Sequence, residues 1–269
     1  VLGIRDGRIV CACRDFTFPD SRLVNFHDLK NSLSDDEPGF TEDASTGSGV
    51  VLADVRSAIH RIPVLHSIDG VSDRFWDMFV VDAFIRNIDR NNTNWGVLRN
   101  PRGEFSLAPV YGNGNSFNNK RTESGIERRL ANPDLIRQDA LDVRSCYVTD
   151  RGKPIAPLKY LASGQDEECT KALDRFMERY DPRSFHDLLD SIPSMSHGLT
   201  VVPDGFHEYH RRVCDYRYEH AFMEAWRELH PTVGFPSSPE ASVPEPLPDP
   251  DPSVLPSSSV PTCFDGPGM

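Results

Sequence analysis

Apolar residues recur along this chain in two rhythms. Residues 1–4 and 9–13 are short apolar runs flanking Asp6-Gly7, a dipeptide that favours the tight turn of a β-hairpin. Residues 50–62 carry a helical pattern. A stronger one follows, with Phe75, Trp76, Phe79, Val80, Ala83 and Phe84 on one broad apolar face. Ser72 is placed to cap that helix, with Asp73 in its first turn. The pattern then breaks at a polar stretch from residue 87 to residue 94. Residues 95–99 and 104–108 read as two strands around the turn Asn100-Pro-Arg-Gly103. From residue 130 onward the pattern is mostly helical, broken near Gly152-Lys-Pro154 and Pro193, and a last helix is predicted over 204–229. Residues 20–40 are polar and favour no element. The fold class this predicts is mainly α, with a small β part (α+β).

Composition sets the C-terminal boundary. Residues 231–269 hold eleven of the 22 prolines and five acids, with no Lys or Arg. A stretch such as Pro244-Glu-Pro-Leu-Pro-Asp-Pro-Asp-Pro252 has too few amide donors for a helix or a central strand, so a disordered tail is expected there. The formal charge of −12 argues against a general nucleic-acid binder, because phosphate contacts need a basic surface. No run of some 18 apolar residues is present, so no membrane span is expected. The chain opens on Val1, as a fragment or processed product would, and shows no signal-peptide pattern. Its six cysteines are scattered, without metal-site spacing, which points to unpaired thiols and a cytoplasmic protein.

Several segments carry candidate chemistry. Residues 44–49, Ala-Ser-Thr-Gly-Ser-Gly, precede a helix but lack the GK[ST] ending of a phosphate loop, and read as a flexible helix cap. His207, His210 and Cys214 share a helix at i, i+3 and i+7; solvated histidines are the preferred reading over a zinc site. Lys120-Arg121 and Arg128-Arg129 form the most basic local patch, read equally well as exposed helix charges or as a surface steering an acidic partner. The informative stretch is Val81-Asp-Ala-Phe-Ile-Arg-Asn-Ile-Asp-Arg-Asn-Asn-Thr-Asn-Trp-Gly96. Phosphoryl transfer needs a carboxylate at the attacking hydroxyl and oxygen ligands for a metal ion. Asp89 and Asn94, five apart on one loop, have the right chemistry and reach. By spacing alone, an Asn/Asp-rich turn capping the helix accounts for them equally well.

That stretch, followed by Leu107-Ala-Pro-Val-Tyr111 and preceded by Arg74-Phe-Trp-Asp-Met-Phe79, resembles the signature of HipA-like bacterial Ser/Thr protein kinases. The similarity runs from Val1 to roughly Glu228, with its specific motifs between residues 73 and 117. It implies a protein-kinase-like large lobe over residues 17–230, a short β remnant of the small lobe over 1–16, and the tail at 231–269. Asp89 then matches the catalytic aspartate and Asn94 the metal-binding asparagine. Asn87 and Arg90 match loop-shaping positions. Cys13, Arg14 and Phe16 fall in the connection whose backbone contacts adenine. ATP and Mg²⁺ are the implied cofactors. A protein substrate or a cognate antitoxin is the implied partner.

The sequence departs from that pattern twice. The family has a metal-binding aspartate after A-P-x-Y, where this chain has Gly112, with Asn113 and Asn115 as the neutral oxygens nearest in sequence. The family's phosphate-binding loop and nucleotide-binding lysine precede the region matching Val1, and Lys30 is a poor substitute. Two expectations follow: a kinase with impaired activity, or a pseudokinase that binds proteins without turnover. In either case Asp89, Asn94 and Gly112 should share one cleft. Ser116 and Ser124 lie where kinases carry activation segments.

Overall fold

The computed structural model describes residues 2–13, 15–17, 19–31 and 49–231. The tail over 232–269, most of the 44–49 stretch, Arg14 and Cys263 lie outside the described residues.

The chain opens with a hairpin, β1 (Leu2–Arg5) and β2 (Arg8–Cys11), paired from Leu2↔Cys11 to Arg5↔Arg8. Asp6 and Gly7 both take positive φ, 52° and 70°, as the turn between right-twisted strands requires. β3 (Arg22–Asn25) runs directly into α1 (Phe26–Asn31). β4 (Val50–Val51) precedes α2 (Leu52–Arg61) and the short α3 (Pro63–His66). The expected helix over 50–62 therefore begins as a strand, because Val50 and Val51 pair in parallel with β7 (Tyr147–Val148).

The central element is α4 (Val71–Ile85). Phe75, Trp76, Phe79, Val80, Ala83 and Phe84 are each no more than 2% exposed, so its apolar face forms the core. Burying each large side chain contributes roughly 1.5–3 kcal/mol. The N-terminus differs from expectation. Gly70, at φ 77°, occupies the cap position, and Ser72 lies inside the helix, where its Oγ donates to Glu168 Oε1 at 2.6 Å. A distant carboxylate thus takes the hydroxyl that was expected to cap.

β5 (Gly96–Arg99) and β6 (Phe105–Leu107) form the expected second hairpin. β3 adds to the other side of β5, giving the order β3-β5-β6. Gly96 is obligatory here, since a Cβ on it would stand 2.2 Å from the Val24 carbonyl oxygen. The remaining chain is helical: α5 (Glu123–Leu130), α6 (Pro133–Leu141), α7 (Pro157–Ser163), α8 (Glu167–Arg179) and α9 (Pro182–Asp190). A small hairpin, β8 (Met195–Ser196) and β9 (Leu199–Thr200), follows. The last helix is α10 (Phe206–Arg217), one π turn over Tyr218–Phe222, and α11 (Met223–Leu229). α4 packs along α8, and α10 packs on α6. Arg217, 1% exposed, ties three elements by donating to the carbonyls of Phe84, Asp139 and Ala140. No helix among the described residues is long and apolar enough to cross a membrane.

Candidate functional site

The polar loop starts where α4 is forced to stop. Arg86 takes the left-handed conformation, φ 57°, and the backbone N–H groups of both Arg86 and Asn87 return to Asp82 O. Residues 87–94 then have no ladder to satisfy their backbone, so short polar side chains do it. Asp89 N donates to Asn87 Oδ1 at 3.3 Å, and Thr93 N to Asn91 Oδ1 at 2.9 Å. The loop's own carbonyls brace α1: Phe26 N donates to Trp95 O at 3.0 Å and His27 N to Asn92 O at 2.8 Å. Phe26 and Trp95 stack at 4.2 Å beneath that contact.

Arg90 is the hub. Nε donates to Asp82 Oδ2 at 2.7 Å, and Nη2 to Asp82 Oδ1 at 3.0 Å and to Asn113 Oδ1. Nη1 donates to Asn94 O at 2.7 Å and to Tyr111 O. All five N–H groups of a guanidinium are thereby used, and the side chain is 2% exposed. Burial alone would lower the Arg90 pKa, but the hydrogen bonds and charge of Asp82 outweigh it and hold it above its ordinary value. The Asp82 carboxyl is itself pushed up by burial, against the pull of Arg90 and Asn87. Asn87 Nδ2 adds bonds to Asp82 Oδ1 at 3.0 Å and to Gly112 O at 3.4 Å. Asn87 and Arg90 thus bind the loop after the second hairpin to the loop after α4.

Asp89, Asn94 and Gly112 come together as expected. Asp89 Oδ1 accepts from Asn91 Nδ2 at 2.9 Å and Oδ2 from Asn115 Nδ2 at 2.8 Å. Asn94 Nδ2 donates to Asp89 O, which turns Oδ1 of Asn94 toward Gly112. Gly112 sits at φ 75°, and a Cβ built on it would lie 2.7 Å from Asn94 Cβ and 3.0 Å from Asn94 Oδ1. Tyr111 closes one side. Its hydroxyl donates to Asn25 Oδ1 at 2.9 Å, within reach also of Thr93 O, and burial pushes its pKa up to about 12. Phe16 packs its ring 5.9 Å from that of Tyr111, beside the loop, and Cys13 is exposed.

The donor set does not fit a divalent cation. Position 112 has neither a carboxylate nor room for one, and the oxygen of Asn113 is taken by Arg90, so of these positions only Asp89 offers an anionic oxygen. Among the described residues no group of three His, Cys, Asp or Glu could hold a metal ion. Lys30 is fully buried on α1, 3.8 Å from Asp54, so it faces the protein interior rather than a ligand.

Other candidates resolve as structure. Arg121 Nη2 and Arg129 Nε both pair with Asp139 at 2.5 Å, and the Tyr209 hydroxyl donates to the same carboxylate at 2.7 Å. Two of the four basic residues of the expected patch therefore share one carboxylate at the α5–α6–α10 packing. His210 and Cys214 are buried, not solvated, while His207 Nε2 meets Ile192 O. Ser116 is 5% exposed, which removes it as an accessible phosphoacceptor in this conformation; Ser124 is exposed. Sequence reading passed over Asp82. Its signal was an acid on the apolar stretch of a core helix, eight residues before an arginine.

A polar loop leaving a core helix, a hairpin, and a second loop folded back on the first make this chain kinase-like. Comparison with known proteins agrees. The chain is 32% identical over 200 residues to the serine/threonine-protein kinase CtkA of Helicobacter pylori, and the two are homologous. That match covers 73% of this chain, which spans 58% of the length of the curated relative. The crystal structure of a Helicobacter pylori proinflammatory kinase CtkA is similar with a TM-score of 0.75 at 28% identity, covering 87% of this chain and 80% of that one. No family model matches the chain.

Proposed function

We propose that this chain is the catalytic-loop lobe of a HipA-like Ser/Thr protein kinase whose phosphoryl transfer is impaired at the metal position. One observation carries this reading. Asp89 is held by side-chain amides on both carboxylate oxygens, while Gly112, opposite Asn94, offers no ligand and no space for one. In this reading Asp89 orients the hydroxyl of a protein substrate and accepts its proton. Arg90 and Asn87 keep the two loops in register. Phe16 and the backbone at Cys13 form the floor of an adenine site. ATP supplies the phosphoryl group when bound. A protein substrate or a cognate antitoxin is the proposed partner, and the cytoplasm the proposed location.

The test is γ-phosphate transfer by four proteins: this chain, Gly112→Asp, a chain extended through the codons upstream of Val1, and the extended Gly112→Asp chain. The DNA upstream tells whether an in-frame glycine-rich loop and lysine exist to be added. The unaltered chain is expected to show little or no transfer. Robust transfer by it, abolished by Asp89→Ala, overturns the impairment. A second reading, a pseudokinase acting as a protein-binding module, is favoured by the fit of the Asn94 side chain into the space that position 112 would need. Absence of transfer from all four proteins favours it.

A further inference from the structure

Asp89 has two amide partners, and they come from different loops. Asn91 is two residues away, whereas Asn115 reaches in from the loop after the hairpin, 26 residues on. One N–H on each oxygen fixes the plane of the carboxylate and leaves a second lone pair on each oxygen for an incoming hydroxyl.

The segment that brings Asn115 there does not rest in a relaxed backbone. Phe117 and Asn118 are consecutive non-glycine residues in the left-handed region, φ 59° and 51°. Between them and Asn115, the hydroxyl of Ser116 is buried without a hydrogen-bond partner among the described residues. What holds this arrangement is the helical body. Phe117 N donates to Ile85 O at 2.9 Å, and its ring meets His210 edge-on at 5.5 Å. Asn118 Nδ2 donates to the Tyr209 hydroxyl at 3.1 Å. At the other end Arg90 grips Tyr111 O and Asn113 Oδ1.

We propose that Asn115 is a positioning residue for Asp89, and that α10, through Tyr209 and His210, holds the 113–119 segment so that Asn115 reaches the carboxylate. The role assigned to Asp89 rests on the kinase reading; the Asn115 contact is tested without it. The orientation of the proposed catalytic carboxylate is then set by a helix that does not touch it.

The test reads the side-chain amide signals of Asn91 and Asn115 in ¹H–¹⁵N spectra of the full chain, with hydrogen exchange at the Phe117 amide. Asp89→Ala should shift both side-chain signals. Asn118→Ala should move the Asn115 signal toward that of a solvent-exposed asparagine and leave Asn91 in place. Asn115→Asp keeps the shape, removes the donors and sets a second carboxylate against Asp89. It should speed exchange at Phe117 about tenfold or more, as losing a hydrogen bond to a charged group predicts. A space-filling role would leave that exchange unchanged. An Asn115 signal indifferent to Asp89→Ala, or unchanged Phe117 exchange in Asn115→Asp, overturns the proposal. If Asn118→Ala fails to fold, these two variants still decide it. The kinase reading is judged separately: phosphate transfer by any of the four proteins above that Asp89→Ala abolishes, alongside an indifferent Asn115 signal, sinks this inference alone.

Discussion

Replacing Gly112 should be costly, and more so than its place on a half-exposed loop suggests. Two effects add. At φ 75° any L-residue pays for the left-handed backbone, about 1–2 kcal/mol. The new Cβ would also stand 2.7 Å from Asn94 Cβ and 2.8 Å from Asn94 Cγ, well inside ordinary contact. Asn94 has to swing away, and its bond to Asp89 O goes with it, a further loss of roughly 0.5–1.5 kcal/mol. Gly112→Ala is therefore expected to destabilise by about 2–3 kcal/mol, a fall in Tm of roughly 4–12 °C for a domain of this size. Gly112→Asp should do at least as much and gain no metal affinity, since seating the new side chain displaces Asn94, the amide oxygen that would share the ion. The assay is a double-mutant cycle by urea denaturation on Gly112→Ala, Asn94→Ala and the pair. Shortening Asn94 to Ala removes the clashes with its Cγ and Oδ1 but keeps the Cβ at 2.7 Å, so it should recover some of the steric part and none of the backbone part. A Gly112→Ala variant within about 0.5 kcal/mol of the parent, or strictly additive effects, would refute this reasoning.

Arg90→Ala should cost about 3–5 kcal/mol, because it strands the buried Asp82 carboxylate, and Arg90→Lys should recover little of that since a lysine cannot fill five acceptors in a plane; both are read by denaturant melts. Gly96→Ala should pry β3 from β5 and show as lost amide protection at Val24 and Val97. His210 gives a pH signature. Burial, with Arg217, Arg121 and His207 nearby and only Asp139 opposing, pushes its pKa down to about 3 from an ordinary 6.5. The unfolded chain then binds a proton that the native state refuses, so stability falls as pH drops from about 6.5 toward 3. Between pH 7 and 5.5 the loss should be about 1 kcal/mol, and His210→Leu should flatten it; equal slopes in the two proteins would count against the assignment.

The long apolar pattern of α4 was legible because its six core positions all face one way and tertiary packing agreed with local preference. The two hairpins were legible for a similar reason, since Asp6-Gly7 and Asn100-Pro-Arg-Gly103 name their own turns. What was missed lay in pairings between distant segments. Val50 and Val51 look like the start of a helix until Tyr147 and Val148 are placed beside them. Ser72 looks like a cap until Glu168 reaches it. Residues 22–25 carried no strand signal strong enough to stand without β5 as partner.

The same division runs through the site. Residue types and order along the chain brought Asp89, Asn94 and Gly112 to one place, because a loop, a short hairpin and a second loop can close only in a few ways. The wiring between them was not readable, since each asparagine has a donor end and an acceptor end and sequence does not say which is spent. Asn113 and Asn115 show the consequence. Both were candidate neutral oxygens on the basis of position, yet Asn113 gives its oxygen to Arg90 and Asn115 gives its amide to Asp89. Position 112 is thus not a vacancy awaiting a carboxylate. Asn94 has its side chain in that space, and the neighbouring amides are committed to Arg90 and Asp89. A chain arranged this way keeps the geometry of its loops through polar contacts backed by ring packing. Building a metal site there would require breaking some of those contacts, which is why a single substitution at Gly112 should fail.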